Sequence, residues 1–401
     1  MAVLQREYGR RRLLGQIRRA GQSPRIELAE QTGISRATVT TITAELIHAG
    51  LIEEVPRTED DADGRRGRPR VDLKIRGAAR RVAGIKISND RLSLVLLDFE
   101  GAQMAELETG LSAPMLSPDA LARELTDAVE RLAEAGGVSP SAISGVGLGI
   151  AGIVDAEQSL VYWSPSLTQR NVDFGRLLSE TLDRPVFVDN DANLVAVAEK
   201  SFGLGQAHTD FIVVTIEAGV GMGLVIGGEL YRGTRGCGAE FGHTKVHLDG
   251  ALCRCGQRGC HEAYVADYAL LREAQTIPGT DPRLGGGARI EALLSAARTG
   301  DEVARHIVDR AGRMFAMGLA NLVNIFDPEL IILSGEQMQF DHLYAEAVIE
   351  EMRKSIVQVD KPPPEVVIHK WGNLMWARGA AAYALDRISD LALEELGESA
   401  G

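Results

Sequence analysis

The chain has 401 residues, 45% of them hydrophobic, and a formal net charge of −13. Its length exceeds what one compact core usually accommodates, which predicts two or three domains with well-packed interiors. The four cysteines are too few and too clustered for the disulfide framework of a secreted protein. The arginine-rich N-terminus lacks the apolar core of a signal peptide, and no segment has the character of a membrane span, so we expect a cytoplasmic protein.

Charge is distributed unevenly along the chain. Residues 1–80 contain 16 Lys and Arg against 11 Asp and Glu, whereas residues 81–401 contain 27 against 45. A basic head on an acidic body is typical of a nucleic-acid-binding module joined to a regulatory or enzymatic body. Small domains also vary in charge by this amount, so charge alone does not decide the function.

The sequence of the basic head, residues 1–80, predicts three helices separated by glycine-containing turns. An amphipathic helix covers Arg6–Ala20, and a second helix runs over residues 24–32 with Ser23 as its N-cap. A third helix covers Arg36–Ala49 and is capped by Ser35. The short helix, the turn and the longer helix have the spacing of a helix-turn-helix.

Two strands follow the third helix, Leu51–Val55 and Val71–Ile75, and they flank an arginine-rich loop. This order predicts a winged helix-turn-helix DNA-binding domain over residues 1–80. The outer face of the third helix suits base edges and phosphates, and a flexible arginine loop suits phosphates or a narrow minor groove. The pattern is also compatible with an ordinary three-helix domain whose loop is a solvated charge run. The candidate DNA-contacting residues are Ser35, Arg36, Ala37, Thr38, Thr40, Thr41, Arg65, Arg66, Arg68 and Arg70.

The sequence of the body predicts two weakly similar lobes of α/β type, over residues 81–195 and 196–401. Each lobe contains a β-hairpin, over residues 82–97 and 211–226, followed by further strands and helices. Such a repeat predicts a ligand cleft between two lobes. The C-terminal helix could return to the first lobe, and the acidic residues 394–401 predict a disordered tail.

The body contains five distinctive motifs: Gly147–Asp155, Asp189–Asn193, Gly219–Gly233, Ala239–His243 and Cys253–Glu262. These motifs, in this order, resemble those of the ROK family of repressors, open reading frames and kinases. Two segments of the head, Ser35–Thr40 and Gly64–Pro69, resemble the DNA-binding head of the repressor branch, of the type that responds to xylose or N-acetylglucosamine. The resemblance covers nearly the whole chain and implies an actin-like, ribonuclease H-like (ASKHA) body of two lobes.

A C-x-C-x4-C motif is formed by Cys253, Cys255 and Cys260, and His243 lies ten residues upstream. Three thiolates and one imidazole complete a tetrahedral Zn²⁺ shell without an open position, which predicts a structural zinc site. The resemblance to the ROK zinc motif supports these four ligands. Ordinary buried cysteines are the alternative, His261 is a rival ligand that spacing does not exclude, and we expect Cys237 to be a small core residue.

The resemblance also implies a carbohydrate site. Carboxylates and amides on turns accept hydrogen bonds from adjacent sugar hydroxyls, and His243 would offer one ring nitrogen to zinc and the other to a hydroxyl. In ROK kinases the residue that matches Asp191 is the general base, so Asp191 would be a vestigial base here. Taken singly, each acidic residue could be a helix cap or a surface charge. The implied ligand-binding residues are Asn190, Asp191, Glu240, His243, Glu262 and Gly152.

The segments that match the ATP-binding turns of ROK kinases depart from the kinase pattern. Lys86 stands about where the first turn has its aspartate, Glu217-Ala218 replaces Gly-Thr in the second, and Glu336 follows a late glycine turn. Added negative charge disfavours phosphate binding. The sequence therefore predicts a non-enzymatic, sugar-responsive repressor that binds operator DNA as a homodimer or homotetramer without a membrane partner. An active ROK sugar kinase with an appended DNA-binding domain and a constitutive DNA-binding protein are the alternatives.

Overall fold

A computed structural model describes residues 2–56, 71–88, 90–216, 219–275, 286–335, 346–370, 372 and 374–398. The chain divides into two compact units. Unit 1 comprises residues 1–152, 158–189 and 380–401, and unit 2 comprises residues 153–157 and 190–379. The division into three domains at residues 80 and 195 stays a prediction. Among the described residues, none of the helices is both long and apolar enough to cross a bilayer.

The head in unit 1 has the predicted helices and wing strands. Its third helix is capped as predicted, because the Ser35 hydroxyl accepts a hydrogen bond from the Thr38 amide at 3.2 Å. The buried face of this helix consists of Val39, Ile42, Thr43 and Leu46. The elements are α1 (Ala2–Ala20), β1 (Gln22–Pro24), α2 (Arg25–Thr32), α3 (Arg36–His48), β2 (Ile52–Pro56) and β3 (Val71–Ile75).

The prediction that Ser23 caps the second helix is wrong. Ser23 lies in β1, which pairs antiparallel with β3 so that Ser23 faces Leu73, and its side chain is buried. Pro24 takes the N-cap position of α2 without a side-chain hydrogen bond. Because it pairs with β3, β1 forms a third strand of the wing sheet, and the strand order of that sheet is β1-β3-β2.

The body part of unit 1 is built on a five-stranded sheet of order β10-β7-β4-β5-β6. The predicted hairpin is present as β4 and β5. Helix α4 begins after Ser117, whose hydroxyl oxygen accepts a hydrogen bond from the Ala120 amide. The C-terminal helix packs on β7, where Gly145 and Gly147 leave room for Ile388 and the Ala380 carbonyl. The elements are β4 (Arg81–Ile87), β5 (Arg91–Asp98), β6 (Gln103–Gly110), α4 (Pro118–Ala135), β7 (Gly145–Ile150), β9 (Leu160–Trp163), α5 (Phe174–Leu182), β10 (Val186–Asn190) and α12 (Met375–Glu398).

Unit 2 is built on a second five-stranded sheet, of order β13-β12-β11-β14-β15. Alternate residues of β11 enter two cores. Phe211 and Val213 pack in a cluster with Val195, and Ile212 and Val214 pack in a larger one with residues of α10. The elements are β8 (Ile153–Asp155), α6 (Asp191–Phe202), β11 (Phe211–Ile216), β12 (Val220–Ile226), β13 (Glu229–Leu230), α7 (Glu262–Val265), α8 (Asp267–Ala274), α9 (Gly286–Thr299), α10 (Glu302–Phe326), β14 (Leu330–Ser334), α11 (Glu346–Ser355) and β15 (Glu365–Ile368).

The expectation of disorder over residues 394–401 is wrong for Glu394–Glu398, and residues 399–401 lie outside the described residues. Helix α12 continues to Glu398, and its residues 380–398 belong to unit 1. The buried side chains Ile388, Ala392 and Leu393 lie just before this segment, on the part of α12 that packs in unit 1.

Candidate functional site

The cysteine motif of unit 2 forms a compact loop held by short backbone pairings. Lys245 bridges to Cys260, and Leu252 bridges to Arg258. Gly259 has φ +75°, and a Cβ atom at this position would overlap the carbonyl group of His247. Glycine is therefore required immediately before Cys260, and the turn it permits directs that cysteine back towards Cys253 and Cys255.

The four predicted metal ligands converge. The ligand atoms of His243, Cys253, Cys255 and Cys260 all lie within 4.8 Å of one another. The Cys255 and Cys260 sulfurs are 3.7 Å apart, and the Cys253 sulfur is 3.7 Å from Nδ1 of His243. A tetrahedral ion with metal–sulfur distances of about 2.3 Å requires sulfur–sulfur distances of roughly 3.7 Å. The group has the donor set and the spacing to hold a metal ion.

The rival ligand His261 lies elsewhere. Its ring is fully buried between Phe241, at a centroid distance of 4.6 Å, and Phe315, on which it stacks at 5.9 Å. Burial lowers the pKa of His261 to about 3. His261 is a neutral core residue.

Cys237 does not match the expectation of a small core residue. Its side chain is only partly buried, and Sγ donates to the carbonyl oxygen of Arg235 at 3.2 Å. Burial raises the pKa of this thiol, so it is protonated at neutral pH. The segment around it turns at Gly233 and Gly236, which places Cys237 on a loop outside the metal-ligand group.

Glu240, an acidic residue of the predicted carbohydrate set, lies beside His243. Oε2 of Glu240 lies 3.9 Å from Nε2 of His243, on the ring edge opposite the nitrogen that faces the cysteines. Burial raises the pKa of Glu240, the charges of Glu262 and Asp191 raise it further, and His243 opposes the rise. Asp191, Glu240, His243 and Glu262 all belong to unit 2. Oε1 of Glu262 lies 3.6 Å from Sγ of the metal-ligand residue Cys253.

Asn190 and Asp191 lie where β10 ends and α6 begins. The Asn190 side-chain oxygen accepts a hydrogen bond from the Ala192 amide at 2.9 Å, which makes Asn190 the N-cap of α6. Asp191 also accepts from this amide, at 3.0 Å. The helix start fixes both side chains, and an acidic group in the first turn is favoured by the helix dipole.

Gly152 belongs to unit 1 and has φ +128°. A Cβ atom there would overlap the Trp163 carbonyl and approach Cα of Ser164 to 2.9 Å. The protein's own backbone thus explains the need for glycine, and a contact of Gly152 with carbohydrate stays a prediction.

The six candidate DNA-contacting residues of α3 form an exposed surface. Ser35, Arg36, Ala37, Thr38, Thr40 and Thr41 are all exposed. The hydroxyl groups of Thr40 and Thr41 donate to backbone carbonyls one turn earlier, at 2.8 and 3.2 Å. Their oxygens therefore remain able to accept hydrogen bonds. The four wing candidates Arg65, Arg66, Arg68 and Arg70 lie outside the described residues.

Two polar residues beside the metal-ligand group, Lys245 and Tyr268, were not among the residues predicted from the sequence. The ammonium group of Lys245 donates to Sγ of Cys260 at 2.9 Å, and this bond raises the pKa of Lys245. The hydroxyl group of Tyr268 lies 3.5 Å from Sγ of Cys253 and 3.3 Å from Oε1 of Glu262. Burial raises the pKa of Tyr268, which keeps the hydroxyl protonated. Neither residue belongs to the cysteine spacing, so no local pattern identifies them.

Of the three residues that depart from the ATP-binding pattern of ROK kinases, the structure describes only Lys86. Lys86 is a buried residue of β4, paired with Ser93 on one side and Gly149 on the other. Glu217, Ala218 and Glu336 lie outside the described part of the chain. The loss of nucleotide binding therefore stays a prediction.

Comparison with known proteins identifies the family. Residues 82–387 match the ROK family, and residues 10–53 match a winged helix-turn-helix DNA-binding family. The chain belongs to the ROK family. This confirms the predicted fold of an N-terminal winged helix-turn-helix followed by a ROK body.

Relatives of this ROK chain include both repressors and kinases. It is 27% identical to the xylose repressor of Bacillus subtilis, over 94% of this chain and 95% of that protein. It is 32% identical to the glucokinase of Streptomyces coelicolor, over 75% of this chain and 96% of the kinase. The crystal structure of a ROK family transcriptional regulator, described as a homolog of the E. coli MLC protein, matches with a TM-score of 0.81 and 25% identity, over 98% of this chain and 99% of that one.

Proposed function

We propose that this ROK protein is a sugar-responsive transcriptional repressor that binds operator DNA and acts in the cytoplasm. The exposed surface of α3 carries the proposal, because it presents hydroxyl, methyl and guanidinium groups that suit base edges and phosphates. The relatives that share the head as well as the body, such as the Bacillus subtilis repressor, support the same function.

The head would bind DNA through α3 and the wing. Ser35, Arg36, Ala37, Thr38, Thr40 and Thr41 would contact the major groove, and Arg65, Arg66, Arg68 and Arg70 would contact phosphates or the minor groove. Helix-turn-helix proteins usually bind two half-sites with two copies of the head. We therefore propose that the protein acts as a homodimer or homotetramer.

The metal-ligand group would hold a structural Zn²⁺ ion through His243, Cys253, Cys255 and Cys260. Three thiolates, a neutral imidazole and Zn²⁺ carry a net charge of −1, and the adjacent ammonium group of Lys245 offsets this charge. Zinc would supply a rigid cross-link between the cysteine loop and the turn at residues 241–243. Four protein ligands leave no open position for catalysis.

A small sugar would bind beside this centre. Carboxylates of Asp191, Glu240 and Glu262 would accept hydrogen bonds from neighbouring hydroxyls, and Asn190 would add an amide. Nδ1 of His243 faces the cysteines, so Nε2 is the ring nitrogen directed at the sugar side. Fixing the histidine through the metal would orient the carbohydrate site.

We propose that the protein is not an enzyme, since Lys86, Glu217 and Glu336 replace features that hold ATP phosphates. The second candidate is a sugar kinase with a DNA-binding head, which the identity with a glucokinase favours. In that case Asp191 would be the general base that accepts the sugar hydroxyl proton.

Two measurements test the proposal. A selection of bound duplexes from a random DNA library should yield a palindromic site, and one of D-xylose, D-glucose or N-acetylglucosamine should change its affinity. Thermal unfolding should show stabilisation by the same sugar and no response to ATP with magnesium. Formation of ADP together with a phosphorylated sugar would instead establish the kinase, and failure to select any duplex would refute the repressor.

A further inference from the structure

The hydroxyl group of Tyr268 lies between a metal-ligand residue and a carboxylate of the carbohydrate set. It is 3.5 Å from Sγ of Cys253 and 3.3 Å from Oε1 of Glu262, and these two atoms are themselves 3.6 Å apart. The three groups therefore form a closed triangle. Tyr268 stands on α8, whereas Cys253 lies in the cysteine loop and Glu262 begins α7.

The two oxygens of Glu262 have different surroundings. Oε2 accepts a hydrogen bond from the backbone amide of Val220 at 3.3 Å, at the start of β12. Oε1 faces Tyr268 and Cys253. A metal-bound cysteine is a thiolate and has no proton to donate. With a metal bound, Tyr268 is thus the side chain of this triangle that can donate a hydrogen bond to Glu262.

The ring of Tyr268 is held by the cysteine loop itself. The guanidinium group of Arg254 lies over this ring at 4.1 Å from its centroid. Arg254 stands between two metal-ligand residues, Cys253 and Cys255. Ordering the loop around a metal would therefore also fix the ring, because a cation over an aromatic face restricts both groups.

We propose that Tyr268 is a positioning residue that couples metal binding to carbohydrate binding through Glu262. The inference rests on the proposed function, since it assigns Glu262 to the carbohydrate site. A metal ion orders Cys253 and Arg254, these hold the Tyr268 hydroxyl group, and the hydroxyl orients the Glu262 carboxylate. Linkage then requires that sugar binding strengthens metal binding by the same factor.

The variant Tyr268→Phe removes the hydroxyl and keeps the ring beneath Arg254. Tyr8→Phe, on the exposed surface of α1, is the matched control. Competition of full-length, zinc-loaded protein with a chelator gives the zinc affinity. We expect it to fall about tenfold in Tyr268→Phe and to stay unchanged in Tyr8→Phe, as for other groups that support metal ligands.

The same competition is repeated with the sugar that stabilises the wild-type protein, chosen among D-xylose, D-glucose and N-acetylglucosamine. We expect saturating sugar to strengthen zinc binding in the wild-type and control proteins, and this coupling factor to fall severalfold in Tyr268→Phe. Circular dichroism establishes that each variant is folded.

Several outcomes separate this inference from the proposed function. An unchanged zinc affinity in folded Tyr268→Phe would overturn the inference, whether or not a sugar binds. Weaker zinc binding with an unchanged coupling factor would mean that Tyr268 only stabilises the metal-binding loop. This outcome would also overturn the inference. If no sugar binds the wild-type protein, the carbohydrate part of the proposed function fails and the coupling fails with it.

Discussion

The side chain of Arg18, on α1 of the head, donates a hydrogen bond to the hydroxyl oxygen of Ser389, on the C-terminal helix α12, at 3.0 Å. The same guanidinium group lies 3.3 Å from the Phe99 carbonyl oxygen and 5.1 Å from the centroid of that ring. Its side chain is 18% exposed. The last helix of the sequence thus forms part of the surface on which the first helix rests.

Replacing Arg18 should destabilise unit 1. Arg18→Met keeps most of the side-chain volume but leaves Ser389 and the Phe99 carbonyl without this donor, so we expect the free energy of unfolding to fall by about 1–3 kcal/mol. Urea denaturation followed by circular dichroism measures the change. Arg19→Met, on the neighbouring exposed position, should lie within roughly 0.5 kcal/mol of the wild type. Equal effects of the two substitutions would contradict the role of Arg18.

A second contact of α12 with α1 predicts a pH dependence. Nε of Arg11 forms an ion pair with Oδ1 of Asp390 at 2.6 Å. Burial nevertheless raises the pKa of Asp390, outweighing the opposing charge of Arg11, and Asp386 adds to the rise. A raised pKa in the folded state means that folding disfavours the ionised carboxylate, so the charge lowers stability above this pKa and not below the unfolded value of about 3.9.

The variant Asp390→Asn should therefore be more stable than the wild type at pH 7, and the difference should shrink as the pH falls towards 4. Urea denaturation of both proteins across this range measures it. A variant that is less stable at pH 7 would mean that the ion pair with Arg11 outweighs the cost of burial.

Local signals in the sequence predict local structure well and tertiary contacts poorly. Ser35 caps its helix as predicted, because capping depends on a residue three positions away. Ser23 carries the same signal but pairs with β3, about fifty residues later in the chain. Spacing likewise indicates the metal ligands, whereas Tyr268 approaches Cys253 and Glu262 only through the packing of α8. The position of Tyr268 in the sequence, relative to the cysteine motif, does not indicate its contacts with Cys253 and Glu262.

The metal-ligand group predicts that substitution of Cys255 lowers zinc affinity and that substitution of Cys237 does not. Cys255→Ser removes one of the four converging ligands, so zinc affinity should fall by more than about 100-fold, since even residues that support a ligand contribute 10–100-fold. The zinc content after dialysis and the thermal midpoint should both fall. Cys237→Ser is the matched control, because this thiol bonds to the Arg235 carbonyl outside the group. Full zinc content in Cys255→Ser would refute the assignment.

The exposed surface of α3 predicts which arginine matters for DNA binding. Arg36 begins this helix, and its side chain is exposed towards solvent. Arg36→Ala should weaken binding to the selected duplex by about 1–3 kcal/mol if it contacts a base edge. If it contacts a phosphate instead, the slope of log affinity against log salt should fall by about one. Fluorescence anisotropy at several salt concentrations distinguishes the two. Arg176→Ala, an exposed arginine of the body that pairs with Asp173, should leave both quantities unchanged. If Arg36→Ala behaves like this control, α3 is not the DNA-reading helix.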